Sequence, residues 1–260
     1  MLLNFITILG FNFIVITILW ISSLKTRRAD FIDIYWGPSF FFSFLLALVI
    51  NNSFSVTEII CLFLITIWGF RLGIYLLIRN VNKTEDIRYV KIREARGDIG
   101  LYLTAYLIQI ILIPIISLPL ISILDTSIDL SFVHWVGILI ALSGILIETI
   151  ADIQLSKFKL DQKNIGKVMD KGLWYYSRHP NYFGEITLWT GIAVIALNTL
   201  SGIEYITLIS PVFVYILLTR MSGVNLLERI ADERYGHLEE YQRYKRNTPV
   251  LVPKLSKDKI

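Results

Sequence analysis

Fourteen consecutive residues, Gly172-Leu173-Trp174-Tyr175-Tyr176-Ser177-Arg178-His179-Pro180-Asn181-Tyr182-Phe183-Gly184-Glu185, hold the densest polar chemistry of the chain. Arg178 offers a cation, His179 a titratable ring, Asn181 an amide, Tyr182 a phenol and Glu185 a carboxylate, all at the mouth of an apolar run. Polar groups beside hydrocarbon are costly unless they hold a partner or a ligand. Pro180 disfavours helix at His179, so that ring is expected on extended backbone where a helix begins. Asn181 then falls in the first turn, able to cap the helix or to hold a ligand amide.

Four ionisable residues lie inside apolar runs: Arg71, Glu148, Asp152 and Glu185. Such residues are candidates for function by position. Glu148 and Asp152 stand four apart and share one helix face. They can accept hydroxyl groups of a sugar or pair with basic side chains, Arg71 and a loop lysine among them. No His or Cys is spaced with them as a metal ligand set, so no metal is expected. Lys159, two turns beyond Asp152, suits a phosphate. Arg71, Tyr75 and Arg79 recur at helical spacing. Asp33, at the opening of another run, is a candidate proton donor or acceptor. His134 and His237 carry no polar constellation in the sequence.

The elements that position these residues read as membrane helices. Apolar runs cover about 3–24, 34–50, 58–78, 99–123, 132–155, 183–199 and 202–219, which gives an all-α polytopic membrane fold of about seven spans in one domain, 1–260. Residues 220–260 form a charged, amphipathic tail, frayed from Lys254 to Ile260. Three basic residues follow the first run, six the third and six the fifth, and nine lie in the tail; these are 24 of the 25 Lys and Arg. The connections at 51–57, 124–131 and 198–204 contain none. The positive-inside rule therefore places the N-terminus outside and the C-terminus in the cytoplasm. Arg71, Glu148, Asp152 and Glu185 all fall towards the cytoplasmic ends of their runs, the layout of a pocket open to the cytosol.

Composition narrows the function classes. Hydrophobic residues make up 55% of 260 positions and mean hydropathy is +0.61, the balance of an integral membrane protein. The net charge of +4 is accounted for by the basic loops and calls for no nucleic acid. Cys61 is the only cysteine, so no intramolecular disulfide forms. The first run has no basic residues before it and no small-residue cleavage site after it, and reads as a retained helix.

The segments GLWYYSRHPNYFGE, IETIADIQLSKFK (147–159), WGFRLGIYLLIR and SGVNLLE…ERYGHLEEYQRY, taken in order over residues 30–253, resemble the bacterial branch of the steroid 5-alpha-reductase-like membrane family. The resemblance implies an oxidoreductase that takes NADPH from the cytoplasmic side and reduces a C=C bond conjugated to a carbonyl in a lipidic substrate, steroid-like or isoprenoid. It implies residence in a bacterial inner membrane among its lipids. On it, Glu148, Asp152 and Lys159 hold the cofactor, Asn181 and Glu185 lie on the nicotinamide side, and Tyr75 lines the cavity. Arg71, Arg178, His179, Tyr182, Glu228 and Arg234 complete the cofactor set.

This chain departs from the family where steroid reductases polarise the substrate carbonyl with a glutamate and a tyrosine, carrying Trp36 and Trp68 there. A tryptophan donates one hydrogen bond but is no acid. Either Asp33 or Tyr35 delivers the proton, or the substrate is not a 3-keto steroid. The RHP-x-Y core is shared with isoprenylcysteine and phospholipid methyltransferases, so the competing reading is an S-adenosylmethionine-dependent methyltransferase acting on a lipid or an isoprenylcysteine-type thiol.

Overall fold

The computed structural model describes residues 1–81, 83–124, 129–221 and 223–254. The expected tail residues 255–260, and 125–128 of the expected connection 124–131, lie outside them. The described residues are helical and contain no strand, because hydrocarbon forces each run to satisfy its backbone hydrogen bonds internally. Six helical stretches are long and apolar enough to cross a membrane: Leu2–Thr26, Phe31–Asn51, Val56–Asn80, Ile87–Ile123, Phe132–Leu160 and Gly202–Tyr235. The protein is an integral membrane protein of all-α class. The expected run at 183–199 lies in a helix of 17 residues, Pro180–Ala196, about 26 Å long at 1.5 Å per residue and therefore shorter than the roughly 30 Å hydrocarbon core.

The chain divides into two compact units. The first comprises residues 1–134 and 196–210, the second 135–195 and 211–260.

In the first unit, α1 (Leu2–Thr26), α2 (Phe31–Asn51) and α3 (Val56–Asn80) pack together. Glycine sets the closest approach. A Cβ built on Gly69 would stand 2.5 Å from the Gly37 carbonyl oxygen, and one on Gly73 3.0 Å from that of Ile34. Pro38 has no N–H to return to the Ile34 carbonyl, and α3 passes against that carbonyl. Polar side chains fix the register of α1 on α2: Asn12 Nδ2 donates to Ser43 Oγ at 2.7 Å, and Asn51 Nδ2 to Asn4 Oδ1 at 2.9 Å. Ser55 and Glu58 form a reciprocal capping box at the start of α3. α4 (Ile87–Leu101) bends at Gly97, whose φ of +67° is open to glycine. It continues through α5 (Leu107–Ile116) and α6 (Leu118–Ile123).

The second unit contains most of α7 (Phe132–Leu160), the short α8 (Leu173–Tyr176), α9 (Pro180–Ala196), most of α10 (Ile209–Ile216), α11 (Val224–Tyr235) and α12 (Glu239–Asn247). α7 and α9 run antiparallel along a glycine seam. Gly137 faces Ile195 and Gly191, Gly191 faces Ala141, Gly144 faces Leu188, and Gly184 faces Glu148. Every pairing keeps one register, so that 137, 141, 144 and 148 meet 195, 191, 188 and 184. Small residues at this spacing let helix backbones touch where lipid offers no hydrophobic drive for association.

Candidate functional site

The glycine seam decides where the acidic residues of the second unit fall. Gly184 lies against the Glu148 backbone, and one turn on Asp152 comes level with Asn181. Asn181 Nδ2 donates to Asp152 Oδ1 at 3.3 Å. The three carboxylates of these two helices are each nearly dry: Glu148 is 3%, Asp152 4% and Glu185 8% exposed. Asn181 is the second residue of α9, and its side chain turns to α7. Its Oδ1 is buried and has no hydrogen-bond partner among the described residues, an acceptor in want of a donor.

The His179 segment meets a second cluster. α9 begins at Pro180, a first helical position that proline suits, and Ser177 ahead of it is extended. His179 Nε2 lies 2.9 Å from Glu228 Oε1, and Arg178 Nη2 3.1 Å from Glu228 Oε2. The His179 ring stacks on Tyr182 at 5.6 Å. Arg178 Nη1 donates to the Lys245 carbonyl at 2.9 Å, while its Nε is buried without a partner among the described residues. Lys245 reaches Asp232 at 2.5 Å, and Tyr241 donates its hydroxyl to the same carboxylate at 2.7 Å.

The C-terminal segment straps this cluster. Arg178 N–H donates to the Pro249 carbonyl, Lys254 N–H to that of Tyr176 and Ser177 Oγ to that of Leu251. Tyr244 donates its hydroxyl to the Trp174 carbonyl at 2.7 Å. Burial pushes the Tyr244 phenol above its ordinary range; burial and then the Asp232 hydrogen bond do the same for Tyr241.

In the first unit the structure surrounds Asp33 with donors. Arg88 Nη2 reaches Asp33 Oδ2 at 2.9 Å and the Tyr89 hydroxyl reaches Oδ1 at 2.5 Å. Asp86 caps α4 by accepting the Arg88 N–H. Burial alone would raise the Asp86 carboxyl, but hydrogen bonds from the Arg88 side chain and backbone, with the charges of Arg88 and Arg79, hold it below the usual carboxylate range. The Tyr35 hydroxyl donates to Asn12 Oδ1 at 3.3 Å. Tyr75 lies under the Arg79 guanidinium at 5.8 Å, as their i, i+4 spacing implies. Trp68 is buried and packs edge-on against Phe40, which in turn meets Trp36.

The structure thus joins Asp152 to Asn181, Glu148 to the Gly184 backbone, Arg178 and His179 to Glu228, and Tyr182 to the His179 ring. Asp33, Tyr35, Arg71 and Tyr75 belong to the first unit. Lys159 and Arg234 lie at exposed positions, and the Arg234 guanidinium sits over the Tyr235 ring at 5.5 Å.

Several functional neighbours gave no sequence signal: Arg88 and Tyr89 on Asp33, and Lys245, Asp232 and Tyr241 around Glu228. His134 also gains a polar setting that its sequence neighbours do not announce. Its Nδ1 accepts from the Ser131 N–H at 3.0 Å and lies 3.3 Å from Asn198 Nδ2.

The model of a family described as a protein of unknown function (DUF1295) matches residues 19–248. Neither the curated proteins nor the solved structures contain a match to this chain.

Proposed function

Since the chain belongs to the DUF1295 family, whose description names no activity, we propose from its own residues that it is an NADPH-dependent reductase of a C=C bond conjugated to a carbonyl. The substrate would be lipidic, a steroid-like or isoprenoid enone. The protein would sit in a bacterial inner membrane, N-terminus outside, with its basic connections in the cytoplasm. The observation that carries the reading is Asn181: one end of its amide is held by Asp152, the other is a buried acceptor without a donor among the described residues. A carboxamide N–H, such as that of a nicotinamide, completes that hydrogen bond.

The residues of the second unit fit such a cofactor. Glu148 and Asp152 are buried acceptors for ribose hydroxyls, and Glu185 lies beside Asn181 on α9. Lys159 and Arg234 supply exposed cations for phosphates, and Arg178 keeps its Nε for an anion while Glu228 and the Lys245 carbonyl hold its other nitrogens. His179, stacked on Tyr182 and fixed by Glu228, closes the opening of α9.

When bound, NADPH supplies the hydride for the β-carbon of the enone. The chain's part is to hold donors and exclude water, since a hydrogen bond to the carbonyl oxygen stabilises the enolate as charge develops there. The α-carbon then takes a proton from a side chain. Tyr35 and Tyr75 carry phenols for that step, and Asp33 orients the Tyr89 hydroxyl that donates to it.

The test is ligand binding by detergent-purified protein. NADPH and S-adenosylmethionine are titrated in parallel against wild type, Asp152→Ala and Asn181→Ala, read by thermal unfolding and by nicotinamide fluorescence. A ligand at a hundred times its Kd adds about 2.7 kcal/mol of stability. Stabilisation by NADPH that is lost in both variants supports the reductase. Binding of S-adenosylmethionine alone, or of neither nucleotide, overturns it.

A further inference from the structure

A recess of the second unit lies beyond Asp152, at the end of α7. It has a volume of about 350 Å³, within the range of small-molecule sites, and is formed where the end of α7 meets the loop that follows it. Lys157 and Lys171 line it together with Phe158 and Met169, so the lining combines two cationic side chains with two apolar ones.

The recess is built by sequence-specific packing. Gln154 Oε1 accepts the Leu173 N–H at 2.9 Å, tying the loop to α7. Gly172 makes this possible: its φ is +62°, and a Cβ there would stand 2.6 Å from the Gln154 amide carbon. The one carboxylate in the lining, Asp161, accepts the backbone N–H of Lys163. Asn164 is fixed by its hydrogen bond to the Phe158 carbonyl at 3.1 Å.

Helical geometry separates this recess from the cofactor residues. At about 100° per residue, Glu148, Asp152 and Lys159 share one face of α7, whereas Gln154, Lys157 and Phe158 centre roughly 150° away. The surroundings suit a membrane surface. Residues 157–171 hold five lysines against two aspartates. Among them Leu160 is 83% and Ile165 77% exposed, an arrangement of cations and bare aliphatics found in segments that lie at the headgroup boundary.

We propose that this recess seats the headgroup of an anionic phospholipid, its phosphate between Lys157 and Lys171 and its glycerol against Phe158 and Met169. The site does not depend on the reductase reading.

Native mass spectrometry of the full chain, released from micelles containing equal phosphatidylglycerol and phosphatidylcholine, tests it. The wild type is expected to retain phosphatidylglycerol in preference. K157Q/K171Q is expected to lose retention by about five-fold for each lysine removed, and K171Q alone, in the loop, by about five-fold. K163Q/K167Q removes the same charge outside the recess and should leave retention unchanged. Equal losses in the two double variants would show diffuse surface attraction and overturn the site. Equal retention of the two lipids, or displacement of phosphatidylglycerol by inorganic phosphate, would overturn it as well.

Discussion

Gly144 of α7 and Gly184 of α9 are backbone neighbours: a Cβ on Gly144 would stand 2.6 Å from the Gly184 carbonyl oxygen, and one on Gly184 2.7 Å from that of Gly144. This contact holds Glu148, Asp152, Asn181 and Glu185 in one register, so it links packing to the candidate site. Gly184→Ala is expected to destabilise the protein by about 1–3 kcal/mol, the range for overpacking a tight core, and to weaken NADPH binding. Gly10→Ala, where nothing lies within 4 Å, should instead add about 0.4–1 kcal/mol. Thermal unfolding of the two variants side by side checks this, and equal melting temperatures would contradict the seam.

The seam also shows what a single sequence conceals. Hydropathy averaged over twenty residues reveals the spans, because each must cross the same thickness of hydrocarbon. The shared face of Glu148 and Asp152 follows from four-residue spacing alone, and the break at His179 from one proline. The pairs Gly137/Gly144 and Gly184/Gly191 are visible as seven-residue spacings. Their meaning, however, depends on α7 and α9 being antiparallel neighbours, which periodicity does not disclose. The same holds for Asp33 with Arg88 and Tyr89, more than fifty residues away, and for His134 with Asn198. The run at 183–199 sits at the short limit for a span, and the α-helix stops at Ala196, where a 3₁₀ turn takes over at Leu197-Asn198-Thr199.

Glu228 bridges the start of α9 to the C-terminal helices through His179 and Arg178. Replacing it by Gln keeps the shape but removes the charge that compensates two buried donors. A loss of about 2–3 kcal/mol is expected, since a charged hydrogen bond is worth about 1.5–3 kcal/mol net and breaking a fully buried pair costs more. The loss should be local, seen as faster proteolysis within α11 and α12. Unchanged cleavage there would mean that the backbone contacts of residues 249–254 hold the segment alone.

Asp86 gives the first unit a defined response to acid. Its folded pKa is held below the ordinary carboxylate value, so its contribution to stability is complete above the unfolded pKa. That contribution is lost as pH falls through the folded value, that is, from about pH 4 downward. Asp86→Asn abolishes this component, and the variant's melting temperature should fall less steeply than that of the wild type over the same range. Parallel slopes would show that the cap on α4 contributes no pH dependence.

Tyr35 and Asn12 separate a structural from a chemical role. Asn12 donates to Ser43 Oγ at 2.7 Å and to the Ile8 carbonyl at 2.9 Å, whereas the Tyr35 hydroxyl reaches Asn12 only at 3.3 Å. Interhelical hydrogen bonds in membranes are worth about 0.6 kcal/mol on average and up to about 1.7. Asn12→Ala should therefore cost about 1–2 kcal/mol, by loss of its short bonds and its packing, and Tyr35→Phe less than about 0.6 kcal/mol. Denaturation in mixed micelles measures both. If Tyr35→Phe proves the more damaging, the hydroxyl is a structural anchor of α1 on α2, and its assignment as a proton donor falls with that result.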